Sequence, residues 1–320
     1  MTQTATPRVP AVPPGRAEPA VSAGSAQRRQ RWTGLALVFP ALLIVGGVYL
    51  YPMITTLVYA VSSIDIATYT IESFVGFDNF ARVIGSAAFV PTLVRTLYFG
   101  LLVVVVTLVP SLAIALVLNE RFWGRTFVRL VVLLPWAVPP VVGGVLWGQM
   151  FQPEFGFINK IMGAVGLPAD TIWLGDPTLA LHALVVAESW RWIPFATLFL
   201  LAGLQTIPTS TLEASQVDGA GAWQRLRHIT MPQLMPTVLP VMIFLFVWAM
   251  KTFDVIFVLT RGGPGGATTT LNYMVYEEGF ETFRFGNAAA IAWLLTLVTV
   301  LVIGLLALVR KMLSASRGES

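Results

Sequence analysis

Long apolar runs separated by shorter polar stretches set the pattern of this chain. A helix needs about 20 mostly apolar residues to cross the hydrocarbon layer of a bilayer. Six segments reach that length: Gly34–Val61, Leu93–Leu118, Phe127–Met150, Leu179–Ala202, Val238–Leu259 and Ala288–Val309. None alternates apolar and polar positions as a barrel strand would. A helix satisfies its own backbone hydrogen bonds in lipid, so the pattern predicts an all-α polytopic membrane protein with six transmembrane helices.

Proline punctuates these segments: Pro40 and Pro52 in the first, Pro110 in the second, Pro135, Pro139 and Pro140 in the third. Each removes a backbone donor and bends its helix. Bends suit a gated path, although they also occur in membrane proteins that carry nothing. Residues 1–31 are rich in Pro, Ala, Ser and Thr, lack any apolar period, and read as a disordered tail. The apolar run after Arg28-Arg29-Gln30-Arg31 exceeds the roughly 7–15 residues of a signal peptide core and reads as an uncleaved first helix. The domain division is therefore a tail (1–31), a six-helix membrane domain (32–310) with a polar loop at 208–236, and a short tail (311–320).

Composition agrees: 56% of the 320 residues are hydrophobic and 11% are charged, against about a quarter charged in soluble domains. The charge is also sorted. With the N-terminus inside, the inner segments hold 13 Lys/Arg and the outer loops hold five. That bias puts both termini in the cytoplasm. It accounts for the basic residues without nucleic acid. There is no cysteine, which removes disulfides and thiolate metal sites, and His182 and His228 lack metal-ligand spacing. No nucleophile–base constellation for a membrane enzyme is present.

Four ionisable residues fall inside predicted spans: Glu188 and Arg191 on the fourth, Lys251 and Asp254 on the fifth. Members of each pair are three residues apart and can share a helix face. Charges at such depth face a bundle interior or a wet cavity. Two readings stay open. Either they are ion pairs that fix packing, or they line a solute path with Trp190, Trp192, Trp248 and Phe253. In the third outer loop, Thr269–Phe280 predicts a short helix with Tyr273, Tyr276 and Phe280 on one face.

The polar loop between the fourth and fifth segments carries Glu213-Ala214-Ser215-Gln216-Val217-Asp218-Gly219-Ala220, then Ile229-Thr230-Met231-Pro232. Ser210 and Glu213 have capping-box spacing. Leu212, Ser215 and Gln216 share one face, and Gly219 suits a helix end. Ala222–Ile229 predicts a second short helix stopped by Pro232. On these residues the chain resembles the membrane subunits of ATP-binding-cassette importers, whose loop reads EAA, three residues, G, nine residues, I-x-L-P. Glu213, Ala214, Gly219, Ile229 and Pro232 match; Ser215 stands for alanine and Met231 for leucine. Trp190-Arg191-Trp192-Ile193-Pro194-Phe195, Val217-Asp218-Gly219-Ala220, Leu134-Pro135-Trp136 and Thr260-Arg261-Gly262-Gly263-Pro264 are similar to its carbohydrate-uptake branch, the maltose and glycerol-phosphate type.

The resemblance implies the type I importer permease fold, with the 213–220 loop docked in the ATPase. It implies no cofactor on this chain, since ATP is bound by two copies of a cytosolic ATPase. A second related permease and an extracytoplasmic solute-binding protein complete the assembly. The substrate is a sugar or polyol, with glycerol phosphate, amino acids or polyamines as alternatives. No Gly-Lys dipeptide occurs, so the chain has no P-loop of its own.

Overall fold

The computed structural model describes residues 32–33 and 37–316. The predicted tail at 1–31 and the last four residues lie outside it. Two units divide the chain at Thr55/Thr56. The first holds most of helix α1 (Leu37–Ala60), which contains a π turn at Gly46–Leu50.

The second unit is a helical bundle with a small polar cap. Strands β1 (Ser62–Ile64) and β2 (Ile71–Phe74) form an antiparallel hairpin, followed by α2 (Asp78–Ile84). Helix α3 (Phe89–Asn119) leads to a bent pair, α4 (Arg125–Ala137) and α5 (Pro140–Met150). A short α6 (Phe157–Ala164) precedes α7 (Pro177–Leu204), then α8 (Thr209–Val217). Helix α9 (Ala222–Met250) is followed by α10 (Asp254–Leu259), α11 (Leu271–Tyr276) and α12 (Phe285–Ser316). A π turn at Glu277–Glu281 extends α11.

Five described helices are long and apolar enough to cross a membrane, and the bent α4–α5 pair, counted as one span, makes six. The all-α expectation holds, with two corrections. The third span is not one helix: α4 and α5 meet at 97°. Pro139 and Pro140 lack N–H donors, and a residue before proline is pushed out of the helical region. Val138 and Pro139 accordingly have ψ of 126° and 139°. The fifth span begins well before Val238 and ends at Met250, so Leu259 belongs to a separate helix. No proline causes that break. Lys251 and Thr252 find partners elsewhere: Asn272 Nδ2 donates to the Lys251 carbonyl at 2.8 Å, and Thr252 Oγ1 donates to Glu188 at 3.2 Å. A backbone carbonyl freed at membrane depth is thus satisfied by a neighbouring helix.

Helices α3, α7 and α9 form the centre. Val104, Trp192, Leu245 and Phe246 pack with Ile291 and Leu295 of α12. At the α8 end, Leu118, Leu200, Leu204, Leu234 and Val238 make a second apolar cluster. Ser111 Oγ ties α3 to α7 through the Ile193 carbonyl at 3.1 Å. At the far end of α7, Asp176 Oδ1 accepts from the N–H groups of Leu179 (2.9 Å) and Thr178 (2.7 Å). Those backbone donors, Leu179 foremost, hold its carboxyl below the usual carboxylate range.

Small residues set the closest approaches, as membrane helix packing requires. A Cβ on Gly203 would lie 2.6 Å from Thr237 Oγ1 and 2.8 Å from Leu234 Cδ1. Overpacking of this kind costs about 1–3 kcal/mol or more. Gly203→Leu is expected to cut membrane accumulation of the subunit several-fold, measured by immunoblot of isolated membranes. Wild-type accumulation would show that α7 and α9 do not touch there.

Candidate functional site

The polar loop builds a short helix fastened at its C-terminal end. Helix α8 begins at Thr209 directly after Pro208, and no side chain caps it. The predicted Ser210–Glu213 capping box is therefore not formed. Proline at the N-cap sets the chain direction, and Glu213 is left facing solvent. The other end closes fully. Gly219 N–H donates to the Gln216 carbonyl at 3.1 Å and Ala220 N–H to the Ser215 carbonyl at 3.0 Å, a Schellman pair. Gly219 sits at φ +79°, which the pair requires and L-residues rarely adopt.

Two residues on, the Gln224 side chain accepts from Gly221 N–H at 2.9 Å and caps the start of α9. The predicted second short helix does not stop at Pro232. It runs through a π turn at Leu226–Thr230 into α9 and on to Met250. The wider π turn lies just where the Pro232 ring has to be fitted into the ladder. The consequence is mechanical. Helix α8 connects through one tight turn to a helix that continues, without a break, to the depth of Glu188.

The faces of α8 divide cleanly. Ser215 is buried, with Oγ donating to the Leu212 carbonyl at 2.6 Å, so it supports the helix and does not meet solvent. Leu212 and Gln216 line a groove of about 340 Å³ shared with Asn119, Glu120, Leu204 and Arg225. Glu213, Ala214, Val217, Asp218 and Gly219 form the exposed face, while Ala220 and Ile229 are half-buried and Pro232 is exposed. Val217 is 88% exposed and Trp223 70%. These two apolar side chains were not among the predicted site residues. Their signal was present: a valine and a tryptophan stand inside a loop whose neighbouring positions are mostly polar or small.

Of the two expected intramembrane pairs, Glu188–Arg191 forms and Lys251–Asp254 does not. Glu188 is 3% exposed. Its Oε1 accepts from Arg191 Nη2 (3.0 Å), Trp192 Nε1 (2.8 Å) and Thr252 Oγ1 (3.2 Å). Arg191 also lies over the Trp192 ring at 4.9 Å. The second pair does not form. Lys251 follows the last residue of α9 and Asp254 opens α10, so no common helix face exists, and among the described residues neither is ion-paired.

The aromatics also divide. Trp192 and Trp248 stand 4.6 Å apart and continue into Phe195 and Phe244, themselves 4.3 Å apart. Trp248 is 42% exposed, so that end of the wall faces out of the lone subunit, while Trp192 is buried behind it. Trp190 instead meets Trp147, and Phe253 joins Phe257, Tyr273 and Tyr276. Tyr276 stacks on Phe280, so the predicted aromatic face of α11 is present. Among the described residues no group of His, Asp and Glu is placed to hold a metal.

The described residues thus form a polytopic bundle that projects a short helix, closed by a Schellman turn, between two spanning elements. The chain belongs to the binding-protein-dependent transport system inner membrane component family, whose model matches residues 111–316. It is 36% identical over 273 residues to the trehalose/maltose transport system permease protein MalF of Thermococcus litoralis, covering 85% of this chain and 91% of that one. It is 32% identical over 262 residues to the sulfoquinovosyl glycerol transport system permease protein SmoG of Agrobacterium fabrum, covering 82% and 85%. It is 35% identical over 230 residues to the sn-glycerol-3-phosphate transport system permease protein UgpA of the same organism, covering 72% and 78%. In fold it is similar to a chain of a bacterial transporter involved in import of the acidic polysaccharide alginate, with TM-score 0.75 and 22% identity over 90% of this chain and 98% of that one. The protein is a multi-pass permease subunit of the cytoplasmic membrane.

Proposed function

We propose that this chain forms one half of a heterodimeric path in an ATP-driven importer of neutral sugars or polyols. Both termini are cytoplasmic in this reading, and α8 seats in a cytosolic ATPase present in two copies. A second permease completes the path, and an extracytoplasmic binding protein delivers the solute. The observation that carries the reading is α8 itself. Its exposed face presents Glu213, Ala214, Val217, Asp218 and Gly219, and its turn is fastened to α9. Closure of the ATPase would move α8 as a rigid lever and tilt α9 with it. ATP stays with the motor, so this chain needs no cofactor.

The exposed Trp248, backed by Phe195, Phe244 and the buried Trp192, supports a sugar as solute. Aromatic faces meet sugar C–H surfaces, while Arg191 is already neutralised by Glu188. A second reading, a glycerol-phosphate-type anion, is favoured by Lys251, which is exposed and has no carboxylate partner among the described residues. Uptake of labelled trehalose by the reconstituted assembly, in competition with unlabelled maltose, trehalose and glycerol phosphate, separates the two. The sugar reading expects strong competition by the disaccharides and none by the phosphate. Lys251→Met is then expected to leave uptake within about two-fold. No uptake of labelled trehalose beside ready uptake of labelled glycerol phosphate would sink the sugar reading.

A further inference from the structure

At the end of the bundle opposite α8, the β1 strand, α2 and the start of α12 line an open cleft of about 140 Å³. Its floor is an ordered polar network. Asn79 is buried, and its Nδ2 donates to the carbonyls of Ala60 (3.0 Å) and Ser62 (2.9 Å). That fixes its Oδ1, which accepts from Arg82 Nη1 at 3.0 Å. The same Nη1 donates to Asn287 Oδ1 at 3.0 Å. Asn287 is buried in turn, and its Nδ2 donates to Glu278 Oε2 at 3.0 Å. Glu278 also faces Arg284, at 3.6 Å, on the cleft rim. A Cβ on Gly286 would lie 2.7 Å from Asn79 Nδ2, so only glycine closes this wall.

The network holds one guanidinium by one nitrogen with two neutral oxygens. Arg82 itself is exposed, and among the described residues no carboxylate lies within ion-pair distance of it. Solubility alone does not call for two buried asparagines behind a surface arginine. Its Nη2 and Nε make no hydrogen bond among the described residues and remain available to a bidentate acceptor. Size narrows the acceptor. Pockets for small molecules run to about 300–1,000 Å³, and this one is too small for a disaccharide but admits one acidic side chain.

We propose that Arg82 is a docking anchor that receives an Asp or Glu side chain of the extracytoplasmic binding protein. The inference rests on the importer reading above and adds where, and by what chemistry, that partner is gripped. Lysine cannot reproduce the fork, so Arg82→Lys keeps the charge and loses part of the grip.

The test uses the full complex, both permeases with the ATPase, in nanodiscs of neutral phosphatidylcholine, titrated with sugar-loaded binding protein. The readout is the binding-protein concentration at half-maximal stimulation of ATP hydrolysis. Arg82→Gln is expected to raise it about ten-fold, to flatten its dependence on salt, and to leave the unstimulated rate unchanged. Arg82→Lys falls between. In the R82K complex a zero-length carbodiimide should join the new ε-amine to a binding-protein carboxylate, and mass spectrometry of that amide names the acid. An unchanged half-maximal concentration for Arg82→Gln, or no such amide, overturns the anchor while leaving the importer reading standing. An effect that appears only when anionic phospholipid is added assigns the pocket to a lipid headgroup and likewise overturns it. A wild-type complex that no binding protein stimulates would remove the importer reading itself.

Discussion

Replacing Gly219 by valine is expected to abolish import while leaving the subunit in the membrane. The residue holds φ +79°, and an added Cβ would meet no atom within 4 Å, so the objection to a side chain is conformational and not steric crowding. A left-handed L-residue costs roughly 1–2 kcal/mol, more for a β-branched one. The two Schellman hydrogen bonds from Gly219 and Ala220 depend on that conformation. Valine therefore favours opening the turn, and α8 loses its fixed angle to α9. The spanning helices do not need the turn, so accumulation should stay within about two-fold. Transport and stimulated ATP hydrolysis should each fall at least ten-fold, about 1.4 kcal/mol in the coupled state. Gly219→Asn is the control, because asparagine tolerates the left-handed region and should keep most activity. Gly219→Asp, which adds charge at the exposed face, should uncouple even though its backbone preference is similar. Valine with normal uptake would show that the turn does not carry the stroke.

What could be read from residues alone follows from which forces were local. Span existence needs only apolar length, so α3, α7 and α12 were legible almost to their ends. The turn at Gly219 was legible because glycine after a polar helix has few other uses. The 97° bend was half legible: three prolines announced a distortion, but its angle depends on Val138 and Pro139 both leaving the helical region. The break at Lys251 was not legible. Nothing in Met250-Lys251-Thr252-Phe253 stops a helix by propensity. The chain turns there because Glu188 and Asn272, 63 positions before and 21 after Lys251 in sequence, offer Thr252 and the Lys251 carbonyl better partners. The same long-range choice dissolved the expected Lys251–Asp254 pair. The Ser210 capping box failed for a local reason, since Pro208 placed the helix start two residues earlier. The hairpin at Ser62–Phe74 was missed because two strands of three and four residues leave too short an alternation to stand out.

The largest stability effect should come from Glu188. Its carboxylate is 3% exposed and answers three donors on two separate elements, α7 and the break after α9. Glu188→Leu would leave Arg191 without its partner and the Trp192 and Thr252 donors unanswered. Removing one side of a buried pair costs about 3–5 kcal/mol, comparable with the whole margin of a small domain. Arg191 keeps some contact with solvent, its side chain being 20% exposed, which places the expected loss toward the lower end. Glu188→Leu should therefore reduce accumulation at least five-fold and lower the midpoint of thermal aggregation in detergent by several degrees. The double variant Glu188→Leu, Arg191→Met removes the stranded charge and should recover much of both, because a matched apolar pair can replace a buried ion pair at little cost. Substrate preference decides what the pair is for. If the recovered double variant imports the same sugars in the same order, Glu188 and Arg191 are packing residues that brace the Trp192–Trp248 wall. If it accumulates normally but changes that order, the pair itself lies in the solute path. A single Glu188→Leu variant that accumulates and melts like the wild type would show that the three hydrogen bonds do not hold α7 against the α9 break.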